Sequence, residues 1–87
     1  MKEVMIMKHA VPNWTWGKIL RDVRLFRGET QSEIGKRIGK DQSTVSKWEL
    51  GEQAMTLKDL ERICSKVHGL AVENFTEGKP IEWASLW

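Results

Sequence analysis

Hydrophobic residues recur at helical spacing along most of the chain, and glycines or capping side chains punctuate each run. From Gly17 to Arg27, residues Leu20, Val23 and Arg24 fall on one face, and Gly28 is the expected stop. Thr30-Gln31-Ser32-Glu33 reads as a capping box, in which Thr30 accepts from a backbone amide and Glu33 reaches back. Ile34 and Ile38 follow four apart, so a second helix runs from Gln31 to near Gly39. Asp41 caps a third helix, Gln42 to Leu50, whose apolar positions are Val45 and Trp48 and whose stop is Gly51. Thr56 opens a fourth, in which Leu57, Leu60, Ile63, Cys64 and Val67 form a buried face up to Gly69. Val72 and Phe75 mark a short fifth helix before Gly78-Lys79-Pro80 breaks the chain.

The two ends follow a different pattern. Val4 to Val11 is an apolar run with weak alternation, ended by Pro12-Asn13 and followed by Trp14-Thr15-Trp16, which reads as a short strand and a turn. Ile81 to Trp87 carries Trp83, Leu86 and Trp87, more apolar than a fraying terminus, and needs cover. A chain of 87 residues has material for one core. The expected fold is therefore all-α: a compact five-helix domain over residues 17–77, an N-terminal strand or arm over 1–16, and an apolar tail over 78–87.

Composition narrows the classes. With 30% charged and 40% hydrophobic residues the balance is that of a soluble globular chain. The apolar stretch Val4-Met5-Ile6-Met7 stops at Lys8, too short for a membrane span or a secretory signal, so a cytoplasmic location without membrane contact is expected. The single cysteine, Cys64, cannot form an internal disulfide and lies on an apolar stripe, where it reads as a small inert hydrophobe. The spacing of Cys64, His9 and His68 fits no zinc pattern, and no cofactor is expected. Nor is there a Ser/His/Asp or paired-carboxylate constellation, which argues against an enzyme. Net charge is only +2, but residues 1–50 hold ten Lys/Arg against six Asp/Glu, whereas residues 51–87 hold four against six. The basic half is where a polyanion would bind. Trp48 belongs to the core, and Trp14, Trp16, Trp83 and Trp87 are assigned to terminal packing or a dimer contact rather than to stacking on single-stranded bases.

The second and third helices, joined by a tight turn at Gly39-Lys40, read as a helix-turn-helix. The third buries only Val45 and Trp48 and turns Gln42, Ser43, Thr44, Ser46 and Lys47 outward, where they can exchange hydrogen bonds with base edges. A surface helix of purely structural purpose would carry more Glu and Lys.

Residues 19–75 resemble the phage repressor and Cro family, lambda-repressor-like proteins also called the XRE family. The resemblance rests on Thr30-Gln31-Ser32-Glu33-Ile34-Gly35, on Ser43-Thr44-Val45-Ser46-Lys47-Trp48-Glu49 closed by Gly51, and on Leu57 to Leu70, in the family's order and spacing. It implies that the first helix of the pair crosses the DNA backbone and the second lies in the major groove. It also implies that Gln42, Ser43 and Lys47 are the main base-reading positions, with Thr44 and Ser46 flanking them. Gln31 matches a phosphate contact at the start of the second helix, where backbone amides favour an anion. Lys36 and Lys40 are further phosphate neighbours by their charge. Arg24 and Glu49 match a family pair, expected as a partly buried ion pair that fixes the angle of the reading helix. Two departures stand out. Gly35 replaces the usual Ala, both being small enough for close packing, and the loop Glu52-Gln53-Ala54-Met55 lacks the basic residues that many relatives place against phosphate.

The expected function is a transcriptional regulator, most simply a repressor, that binds double-stranded DNA. One short reading helix covers too few base pairs for useful specificity, which predicts a homodimer on an inverted repeat, with the apolar segments 4–11 and 81–87 as its two-fold contact. The rival reading is an antitoxin-like adaptor whose apolar ends dock a protein partner.

Overall fold

Local capping sets the boundaries of the helices. The computed structural model describes residues 11–87, with five α-helices: α1 (Trp16–Arg27), α2 (Gln31–Ile38), α3 (Gln42–Leu50), α4 (Leu57–Lys66) and α5 (Val72–Thr76). A 3-10 turn, Asn13–Thr15, leads into α1, and a second, Trp83–Leu86, ends the chain. The described residues contain no strand. The strand expected at 4–11 lies outside them except for Val11, which is irregular and donates its N–H to the Thr76 carbonyl at 2.9 Å. The capping box forms in full: Glu33 N–H donates to Thr30 Oγ1 at 3.1 Å and Thr30 N–H to Glu33 Oε1 at 2.7 Å. Thr56 Oγ1 accepts from Asp59 N–H at 3.1 Å and starts α4 in the same manner.

Every helix contributes to one core: Leu20 and Val23 from α1, Ile34 and Ile38 from α2, Val45 and Trp48 from α3, Leu60 and Ile63 from α4, and Phe75 from α5. Trp16 is also core, not a terminal contact. It opens α1, is buried, and donates its indole N–H to the Val11 carbonyl at 3.1 Å. The face expected on α4 needs a correction at its start, because Leu57 is exposed. Met55 is buried in its place, just before the cap, with Leu60 four residues into the helix. These are the two positions of a hydrophobic staple, which fixes the chain's entry into α4. The helix itself stops at Lys66, and Val67 continues the apolar stripe in extended conformation.

The C-terminal segment packs on its own domain. Leu86 is buried in the core, and its carbonyl accepts a hydrogen bond from the Arg27 guanidinium. Asn74 Nδ2 donates to the carbonyls of Lys79 and Pro80 at 3.1 and 3.2 Å, joining α5 to the segment. Phe26 of α1 packs against the rings of both Trp83 and Trp87, at centroid distances of 4.9 and 5.3 Å. No helix among the described residues is long and apolar enough to cross a membrane.

Among the glycines of the described residues, the tightest approach is that of α1 to α3 at Gly17. A Cβ on Gly17 would lie 1.8 Å from the Trp48 carbonyl oxygen, so the two backbones meet where only glycine fits. Gly35 is similarly constrained: its Cβ would lie 2.5 Å from the Lys40 carbonyl oxygen. In this chain Ala at 35 is therefore not an equivalent small residue, since the α2–α3 turn would have to move. Gly17→Ala is expected to destabilise the protein by at least about 2 kcal/mol, at the upper part of the overpacking range, as measured by urea unfolding. A wild-type midpoint would mean that α1 and α3 have slack the packing does not suggest.

Candidate nucleic-acid interface

Between Ile38 and Gln42 the chain reverses in three residues. Gly39 adopts the left-handed conformation (φ 75°), and Lys40 N–H donates to the Gly35 carbonyl at 2.8 Å, closing α2. Asp41 then caps α3, its Oδ1 accepting from Thr44 N–H at 2.9 Å and from the hydroxyls of Thr44 and Ser43 at 2.7 and 3.1 Å. Thr44, by hydroxyl and then by backbone, and Ser43 after it hold the Asp41 carboxyl below its ordinary value. The hydroxyl hydrogens of Ser43 and Thr44 are thereby committed to the cap. What these two residues offer a base edge is lone pairs, suited to amino donors such as adenine N6 or cytosine N4.

Along α3, Gln42, Ser43, Lys47 and Leu50 are exposed, Thr44 and Ser46 half-buried, and Val45, Trp48 and Glu49 buried. A chain of hydrogen bonds fixes this face from behind. Gln42 Nε2 donates to Gln31 Oε1 at 2.9 Å, and Gln31 Nε2 donates to Glu49 Oε1 at 3.0 Å. Arg24 completes the chain with two parallel bonds to Glu49, Nε to Oε2 at 2.8 Å and Nη2 to Oε1 at 2.9 Å, while its Nη1 donates to the Glu29 carbonyl at 3.0 Å. The hydrogen bonds to Glu49 raise the Arg24 pKa above its ordinary value, against the opposing effect of burial. Gln42 retains a carbonyl oxygen and one amide hydrogen, the pair that adenine N6 and N7 require.

The remaining expected contacts are spread around this centre. Gln31, half-buried on the first turn of α2, bonds to both Gln42 and Glu49. Lys36 is exposed on the last turn of α2. Lys40 turns toward α4, its ammonium 3.7 Å from Asp59. Beside Lys36, Arg37 is tied to Glu29 at 2.6 Å. Burial would raise the Glu29 pKa, but Arg37 and Arg27 outweigh it and hold the carboxyl below its ordinary value. Cys64 is half-buried, and burial, with Glu73 nearby, pushes its thiol up to about 11, so it stays protonated near neutral pH. The sequence did not single out Arg21, which is exposed and lines a cleft with Arg24, Gln31, Ser46, Glu49 and Leu50. No group of residues suited to hold a metal ion occurs among the described residues.

Residues 20–66, more than half of the chain, match the family model described as helix-turn-helix, of the XRE/Cro type. The chain belongs to this family. No curated protein and no solved structure matches it. The helix-turn-helix family is one of DNA-binding domains without enzymatic activity, so membership implies DNA binding. The match spans α2, the turn and α3, together with most of α1 and all of α4.

Two predictions follow from the geometry around α3. Arg24→Met leaves the buried Glu49 carboxylate with Gln31 alone and is expected to cost about 3 kcal/mol by urea unfolding. Adding Glu49→Leu should recover most of that loss, and a double variant as unstable as the single would show that the charge was not the cause. The second concerns acid. The folded pKa values of Asp41 and Glu33 lie below their ordinary 3.8 and 4.5, Glu33 chiefly through the Thr30 backbone N–H. Their stabilisation is complete above those ordinary values and is lost as pH falls through the lower folded ones. Asp41→Asn keeps an acceptor at the cap without the titration, so its stability should fall less steeply below pH 3.8 than that of the wild type.

Proposed function

We propose that the protein is a transcriptional repressor that places α3 in the major groove of double-stranded DNA. Gln42, Ser43 and Lys47 read bases, Thr44 and Ser46 flank them, and Gln31 and Lys36 meet phosphates, while Lys40 would have to leave Asp59 to reach one. The observation that carries this reading is the exposed polar stripe of α3, held from behind by the Gln42–Gln31–Glu49–Arg24 chain. Side chains that are already ordered lose less entropy on contact, and each good bidentate base contact is worth roughly 1–3 kcal/mol of discrimination.

A helix of nine residues reads only a few base pairs, so the protein acts as a two-fold dimer on an inverted repeat, with half-sites about 10 base pairs apart or at another spacing set by the dimer. We assign the two-fold contact to Phe26, Trp83 and Trp87, because Trp87 is 82% exposed beside two other exposed aromatics. Occupying an operator blocks polymerase without any further surface, which favours repression. A cytoplasmic location accords with this role. The same aromatic patch is the feature that favours the second reading, an antitoxin-like adaptor docking a protein partner.

Selection of the purified protein against a randomised double-stranded DNA pool tests the proposal. An inverted repeat should emerge, its binding should fall steeply with salt, and Gln42→Ala with Lys47→Ala should abolish the preference with the fold intact by circular dichroism. Trp83→Ala with Trp87→Ala should shift the protein from dimer to monomer in sedimentation. If no sequence is enriched, the adaptor reading replaces this one.

A further inference from the structure

Leu50 is the apolar exception on the exposed face of α3. It is 68% exposed, although it is a leucine on the last turn of the helix that carries the polar stripe. It lies three residues after Lys47, four after Ser46 and seven after Ser43, a spacing that puts all four on one helix face. Its surroundings are cationic. On one side it shares a cleft with Arg21, Ser46 and Gln31, and on the other with Lys18 and Trp14, while Lys47 precedes it on the same face. The carboxylate nearest in sequence, Glu49, is buried and neutralised by Arg24, and Glu52 follows beyond the helix end.

These charges bear on what covers Leu50. A second copy seated here would bring its own Lys18 and Arg21 against the first pair, a like-charge contact. A polyanion suits them, and the major groove edge of double-stranded DNA offers one apolar group, the C5-methyl of thymine. We propose that Leu50 is a base-reading residue that recognises this methyl group. The inference rests on the assignment of α3 to the major groove. Leu50 is eight residues from Gln42, on the order of 12 Å along the helix, so the thymine belongs to the same half-site as the base read by Gln42. Trp14, also exposed, is a second apolar side chain lining the cleft that Leu50 shares with Lys18.

The test uses the operator recovered by selection, with each thymine of one half-site replaced singly by deoxyuridine, which lacks only the methyl group. Wild-type protein and Leu50→Ala are titrated against each duplex; Leu50 is exposed, so the variant keeps the core, and circular dichroism checks this. At one thymine, deoxyuridine should weaken the wild type about fourfold, the effect of one buried methyl group, and should leave Leu50→Ala unchanged. Leu50→Ala should itself bind the thymine operator more weakly by a similar factor. The proposal is overturned if no deoxyuridine substitution affects the wild type, or if Leu50→Ala loses as much as the wild type at every position, while Gln42→Ala with Lys47→Ala still abolishes recognition. It is equally overturned if Leu50→Ala binds DNA normally but loses a protein partner. Failure to recover any operator sinks the groove assignment itself and this inference with it.

Discussion

A buried carboxylate at the end of α3 constrains the packing of the helix-turn-helix against α1. Glu49 has almost no contact with water, and an ionised carboxylate removed from water costs several kcal/mol unless charge and hydrogen bonds replace its hydration. Three donors do so, two from Arg24 on α1 and one from Gln31 on α2. Meeting the needs of this single group therefore fixes three helices relative to one another. The close approach of α1 to α3 at Gly17 adds a steric limit to the electrostatic one. Dispersion and apolar burial supply most of the stability, but they are non-directional. The hydrogen bonds to the carboxylate are directional and add an orientation-dependent term to the packing of α3 against α1 and α2.

That rigidity extends to the exposed atoms. Gln42 is bonded to Gln31 and is thereby linked to the ion pair, and the hydroxyls of Ser43 and Thr44 are oriented by Asp41. Part of the polar face of α3, Gln42, Ser43 and Thr44, thus presents donors and acceptors that hydrogen bonds within the protein already orient. On the proposed reading, a mismatched base would meet, at Gln42, Ser43 and Thr44, groups that reorient only by breaking bonds inside the protein, which turns a local mismatch into a cost shared with the scaffold.

Much of this fold was legible because helix boundaries are written locally. Thr30 with Glu33, Asp41, and the glycines at 28, 39 and 51 act within a few residues of themselves, and each boundary lies where those residues place it. What could not be read depends on contacts distant in sequence. Met55 and Leu57 are both apolar and flank the same cap, and only the direction of approach to α4 decides that the first is buried and the second exposed. Gly35 looked interchangeable with Ala because its neighbour in space is the Lys40 carbonyl, not anything on α2. The tail's hydrophobicity announced a need for cover, yet nothing in the sequence indicates that Leu86 finds it in the core of its own domain. In the candidate site, Arg24 and Glu49 came from the family's pattern, whereas the bonds through Gln31 to Gln42 have no periodic signature.

The distribution of charge around α3 decides how binding energy is divided. Exposed Lys18 and Arg21 on α1, Lys36 on α2 and Lys47 on α3 lie on or beside the helix-turn-helix, while the α3–α4 loop offers Glu52, Gln53 and Ala54 to solvent and no cation. Lys40, which the sequence suggested for phosphate, is drawn toward Asp59. Non-specific affinity grows with the number of phosphates neutralised, so on the proposed reading it rests on Lys18, Arg21, Lys36 and Lys47 and gains nothing from the α3–α4 loop. In the proposed dimer, discrimination would come from contacts with base edges and from joining two half-sites, terms that act only at the correct sequence. On the proposed placement of α3 in the major groove, a loop that carries Glu52 and no cation lowers absolute affinity, and for the same reason it raises the ratio of specific to non-specific binding.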